Sequence, residues 1–191
     1  MTSRAIAVAA VAAALAVPAL IHAQTKSADK AFAGGGKVDI HLDGGDYDVR
    51  AAADNHVRVT MSGNTGSATV DVTIAGTHAD VSVRNTPHSN FRCVIEVPSV
   101  SDVAIRLSGG DLTVGEIAGS KDIEATAGDV KIGVGNPDSY AKVDASVRVG
   151  DLSTGPFGGK QGGLVSQRLT WSGNGKYTLH ASLGAGDLKL K

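Results

Sequence analysis

The chain has 191 residues, with 18 basic and 19 acidic side chains and a formal net charge of −1. That balance excludes an electrostatic role in gripping nucleic acid or anionic lipid. Cys93 is the single cysteine, so no intramolecular disulfide can form and the fold must rest on packing and strand ladders.

At the N-terminus, Arg4 precedes an almost wholly apolar run from Ala5 to Leu20, and Ala23 supplies a small residue before Gln24. This is the pattern of a secretory signal (residues 1–23) cleaved between Ala23 and Gln24. The run is short and alanine-rich for a membrane span of about 20 residues. No cysteine follows it to carry a lipid, and Leu188-Lys189-Leu190-Lys191 offers no apolar tail or sorting signal. The mature protein is therefore expected to be exported, to the periplasm, the cell surface or the medium, with no membrane span. Residues 24–36 are polar, end in Gly34-Gly35-Gly36 and read as a flexible leader. Residues 37–191 read as one domain.

From Lys37 the period is two. Val38, Ile40 and Leu42 alternate with polar residues, and so do Tyr47 and Val49; Val57, Val59 and Met61; Val70, Val72 and Ile74; and Phe91, Cys93, Ile95 and Val97. Each is the signature of a half-buried strand. Pro98 closes the last of them. Val103, Ile105 and Leu107 lead into shorter, more regular rungs. Near the end, Leu169-Thr170-Trp171 and Tyr177-Thr178-Leu179 flank Ser172-Gly173-Asn174-Gly175, which reads as a hairpin turn. No window after residue 24 has a helical period.

One cassette recurs: Gly, Asp, then an apolar residue opening a strand. It stands at Gly45-Asp46, Gly110-Asp111, Gly128-Asp129, Gly150-Asp151 and Gly186-Asp187. The Asp111–Asp129 interval is 18 residues and the Asp151–Asp187 interval is 36, twice as long. Such spacing predicts an all-β fold, a solenoid-like β-helix or β-roll stack of short strands with Gly-Asp corners. Glycine relieves the same backbone strain at each corner, and the aspartate can accept from nearby backbone N–H groups. The interval from 151 to 187 lacks one expected cassette near residue 169, where Trp171 stands.

Phe91-Arg92-Cys93-Val94-Ile95-Glu96-Val97-Pro98, then Val103 to Leu112 with its Gly110-Asp111, then the rungs at Gly128-Asp129, Gly150-Asp151 and Gly186-Asp187 together resemble the bacterial DUF4097 family of β-strand-repeat proteins. The resemblance spans residues 37–191. It implies a repetitive β domain in the cell envelope, to which an adhesin role is ascribed, and brings no catalytic residues with it.

Other motifs give structural readings. The Gly-Asp corners each offer one carboxylate, and Gly34-Gly35-Gly36-Lys37-Val38-Asp39 has Lys37 where the repeat-type calcium motif needs Gly. Gly155-Pro156-Phe157-Gly158-Gly159-Lys160-Gln161 lacks the glycine and hydroxyl of a phosphate loop. Asp39, His41 and Asp43 form the one local ligand-like group, read as a solvated strand face. Cys93 is in phase with the inward residues and reads as an inert buried thiol. No cofactor or metal is expected, and no spacing marks a nucleophile with its base. The expected function is a non-catalytic envelope protein of adhesin or scaffold type, presenting a repetitive β surface to a cell-envelope glycan or protein. The alternative is a periplasmic ligand- or polysaccharide-binding module, acting on the polysaccharide in one version, with Trp171, Tyr177 and Tyr140 as a sugar platform.

Overall fold

Alternating apolar residues bury best between two sheets, and the chain does this along nearly its whole length. The computed structural model describes residues 27–158, 160–161 and 165–191; the expected signal segment lies outside them. In chain order the strands are β1 (Ser27–Ala31), β2 (Lys37–Leu42), β3 (Gly45–Ala52), β4 (His56–Gly63), β5 (Thr69–Ala75), β6 (His78–Arg84), β7 (Phe91–Pro98), β8 (Asp102–Leu107), β9 (Gly110–Val114), β10 (Lys121–Ala127), β11 (Val130–Ile132), β12 (Tyr140–Val149), β13 (Leu152–Ser153), β14 (Lys160–Gln161), β15 (Val165–Ser172), β16 (Tyr177–Ala185) and β17 (Leu188–Leu190). Two 3₁₀ turns, Pro137–Ser139 and Gly155–Phe157, are the only helical elements among the described residues.

Two mixed sheets result, and neither closes on itself. One has nine strands in the order β1-β4-β7-β3-β9-β11-β17-β13-β14, the other eight in the order β15-β12-β16-β10-β8-β2-β6-β5. Six two-strand units, each with one strand in either sheet, build the centre. They stack in the order β6/β7, β2/β3, β8/β9, β10/β11, β16/β17, β12/β13, with every contact between neighbouring units parallel. Antiparallel strands finish both ends: β1, β4 and β5 at one, β14 and β15 at the other.

The inward residues form ladders along the stack. Val81, Ile40, Ile105, Ile123, Ala181 and Ala145 succeed one another in the eight-stranded sheet. Ile95, Val49 and Val114 do so in the other, as do Leu112, Val130, Leu188 and Leu152. All of them are buried in one continuous core. Burying each valine, leucine or isoleucine of these ladders contributes about 1.5–3 kcal/mol, which is why a chain without disulfides holds together.

Two expectations change here. The residues read as a hairpin do not pair with each other: β15 and β16 lie on opposite sides of β12, antiparallel and parallel to it. The Gly173–Gly175 turn wraps around the start of β12, where Gly175 N–H donates to the Tyr140 carbonyl and Lys176 N–H to that of Ser139. The turn at Ser172-Gly173-Asn174-Gly175 thus reverses the chain around β12 and does not close a hairpin. Within the expected leader, Ser27–Ala31 form edge strand β1 on β4. Asp29 meets His56 and Arg58 across that pair, and Phe32 just beyond is buried. The hydrogen bond from the His56 ring, and after it that from the Arg58 guanidinium, hold the Asp29 carboxyl below the usual carboxylate range. The Lys30 ammonium also donates to the Val72 carbonyl of β5, tying the edges of the two sheets together at this end.

Candidate binding face

The five Gly-Asp corners come together as one column. All five glycines have positive φ, from +105° at Gly110 to +150° at Gly45. Gly45 pairs with Gly110 and Asp46 with Asp111 across β3 and β9. A Cβ on Gly128 would lie 1.8 Å from the Gly110 carbonyl oxygen, one on Gly186 2.0 Å from that of Gly128, and one on Gly150 1.9 Å from that of Gly186. Each corner thus packs backbone on backbone. The aspartates point outward and are exposed, and they bond along the column: Asp129 N–H donates to Asp111 Oδ1 and Asp151 N–H to Asp187 Oδ1, both at 3.3 Å. The next amides of three rungs donate to a neighbouring Asp carbonyl, Leu112 to Asp129, Val130 to Asp187 and Leu188 to Asp151, at 2.8–2.9 Å, while Leu152 N–H donates to Gln167 Oε1. These contacts join rung to rung.

Tyr140, Phe157, Trp171 and Tyr177 gather at the β12/β13 end of the stack. Tyr140 is 1 % exposed, and its hydroxyl lies 2.7 Å from Lys121 Nζ and 3.3 Å from the Val134 carbonyl. Phe157 is buried and packs on Trp171 with centroids 4.9 Å apart, while Tyr177 meets Tyr140 edge-on at 6.2 Å. Tyr140 therefore offers no face to a sugar, and Trp171 and Tyr177 are packed against the core. Trp171→Ala is expected to destabilise the protein by about 2 kcal/mol or more, measured by urea denaturation. An unchanged midpoint would contradict this core role.

Lys121 was not singled out in the sequence, because it opens a strand as many exposed lysines do. It is 1 % exposed and donates to the Ile117 carbonyl at 2.6 Å and to Tyr140. Burial lowers its pKa to about 8, with Glu116 and Asp102 opposing that shift. Burial also pushes the Cys93 thiol up to about 12, which keeps it protonated and unreactive.

The outer face of the eight-stranded sheet carries two concavities. One trough of about 610 Å³ has Arg84, Arg106 and Arg148 around small or polar residues that include Ser108, Thr126 and Gly184. A second, of about 490 Å³, adjoins it and shares Glu124. Arg106 is tied to Asp122 at 2.6 Å and Glu124 at 3.4 Å, and Arg84 donates to the Ser82 hydroxyl at 2.7 Å. Arg148 is exposed and has no ion-pair partner among the described residues. Asp39 and His41 lie on β2 and Asp43 just beyond its end, but they are not gathered: Asp39 meets Lys37 and His78, and Asp43 accepts from the Asn85 N–H. Gly155–Phe157 of the loop that resembled a phosphate site is a 3₁₀ turn that buries Phe157, not an anion cradle.

No protein-family model matches the chain, and no curated protein matches its sequence. Among solved structures, a putative cell adhesion protein from Clostridium sporogenes is similar with a TM-score of 0.55 and 11 % identity, over 87 % of this chain and 99 % of that one. A putative adhesin from Bacteroides fragilis aligns over 86 % of this chain and 96 % of its own at 10 % identity, with a TM-score of 0.27. At these identities the likeness to the Clostridium protein is one of fold. Among the described residues, no helix is long and apolar enough to cross a membrane.

Proposed function

We propose that this chain is an exported, non-catalytic cell-envelope protein of adhesin type that binds a glycan or protein through the outer face of its eight-stranded sheet. The observation that carries the proposal is the wide polar trough with Arg84, Arg106 and Arg148 on the outer face of this sheet. Arginine suits such a surface because its planar fork recognises carboxylate and phosphate groups bidentately. The fold-level likeness to a putative cell adhesion protein supports the same reading. Export is supported by the N-terminal signal pattern in the sequence. Membership of the DUF4097 family, and a β-roll form of solenoid with its units out of chain order, belong to this proposal. The repeated cassette and the six parallel units support both.

The test is a charge reversal on this face. Arg84→Glu with Arg148→Glu is expected to weaken binding to isolated envelope material by about tenfold or more, while Arg50→Glu on the other sheet leaves it unchanged. Equal binding by both variants would overturn the assignment of the face.

A further inference from the structure

We propose that Asp122, Glu124 and His180 form a binding site for a divalent transition-metal ion, with zinc the best match to their chemistry. This inference stands independently of the adhesion reading. The three residues are remote in sequence but adjacent in the stack. β10 and β16 run parallel with Asp122 opposite His180, and Glu124, two residues along β10, projects from the same face. One ligand atom from each lies within 4.8 Å of the other two. A tetrahedral zinc ion sits about 2.0–2.2 Å from nitrogen and carboxylate ligands. Its ligands are then roughly 3.4 Å apart, a difference that rotation of these partly or fully exposed side chains covers.

The ligand types select the ion. An imidazole with two carboxylates suits zinc and its first-row neighbours, whereas calcium takes six to eight oxygens. Three protein ligands leave a coordination position for water or for an oxygen of a bound molecule. Asp122, Glu124 and His180 all line the trough of about 490 Å³, together with Lys37, Asp102, Ser120 and Thr178.

Arg106 is the residue that decides how tight the site is. Its Nη2 lies 2.6 Å from Asp122 Oδ2 and its Nε 3.4 Å from Glu124 Oε2. The guanidinium thus holds two like charges close together, next to His180, in the ion-free protein. It also competes with the ion for the same oxygens. On the other side of His180, Asp144 is opposite it in register, but Arg168 takes its carboxylate at 2.5 Å. By contrast, His78 has one carboxylate neighbour, Asp39, which Lys37 also binds.

The experiment is titration of the untagged protein with zinc chloride by isothermal calorimetry, with wild type, His180→Ala, Asp122→Asn, Arg106→Gln and His78→Ala compared. His180 is exposed, so its removal leaves the core untouched, and metal-free thermal unfolding verifies that each variant is folded. One saturable site is expected. His180→Ala and Asp122→Asn are each expected to weaken it about tenfold or more. Arg106→Gln is expected to tighten it, and His78→Ala to leave it unchanged. No saturable binding by wild type, or full affinity in His180→Ala, overturns the proposal.

Discussion

Gly128→Ala is expected to cost about 4 kcal/mol, a large part of the 5–15 kcal/mol that holds a typical domain folded. Two penalties combine. Gly128 has φ +125°, where an L side chain costs about 1–3 kcal/mol. Its Cβ would also stand 1.8 Å from the Gly110 carbonyl oxygen, and the obstacle is backbone. Relief requires the two rungs to move apart, against the parallel pairing of Val130 with Leu112 just beyond the corner. Overpacking of this kind costs about 1–3 kcal/mol more. Gly76 is the control. It too has positive φ, +61°, but nothing lies within 4 Å of its Cβ position. Gly76→Ala is expected to cost about 1 kcal/mol. Urea denaturation of both variants measures the difference. Equal costs would show that the glycines serve only backbone conformation and that the column carries no packing role.

The second large effect depends on pH. In the unfolded chain Lys121 has the ordinary lysine value of 10.5, and in the fold burial lowers it to about 8. Between those values the unfolded state binds more protons, so stability rises with pH across the window. The full span corresponds to about 3 kcal/mol, of which about 2 kcal/mol is gained by pH 9.5. Below pH 8 the lysine is charged in both states and the whole burial cost applies. Cys93 works the other way, because its thiol ionises near 9 when unfolded and is held to about 12 in the fold. Above pH 9 it therefore lowers stability, which makes the comparison with a variant essential. Wild type minus Lys121→Met, followed by urea denaturation from pH 7 to 9.5, is expected to rise by about 2 kcal/mol. Parallel profiles for the two proteins would show that Lys121 ionises in the fold as it does in water.

The sequence made the rungs readable and the order of the rungs unreadable. Alternation at Val38-Ile40-Leu42 or Val103-Ile105-Leu107 states that a strand has one buried face, and a Gly-Asp pair marks the turn of every unit except β6/β7, which turns through Asn85 to Asn90 without one. The alternation is common to the units, so one unit fits beside another, and periodicity has no means of placing β2/β3 between β6/β7 and β8/β9. The double interval from Asp151 to Asp187 has the same origin. The chain leaves the stack for the antiparallel end strand β15, with Trp171 on it, and returns through β16 between β10 and β12. The hairpin cue at Gly173–Gly175 failed because a turn sequence specifies a reversal but not which strand fills the gap. The arginine trough and the Asp122–Glu124–His180 group were hidden for a related reason. Their residues come from strands far apart in sequence, and only the parallel register sets them side by side. Lys121 was hidden by its chemistry, since a lysine at a strand start gives no sign that a carbonyl and a phenol will take it inside.

The proposed role of this stack is to present a binding face to the cell envelope. The most direct measurement is co-sedimentation of the purified protein with separated peptidoglycan, outer membrane and surface polysaccharide over a range of protein concentrations. Saturable binding to one fraction, lost in the Arg84→Glu, Arg148→Glu variant, is the predicted result. Absence of saturable binding to all three fractions would contradict it.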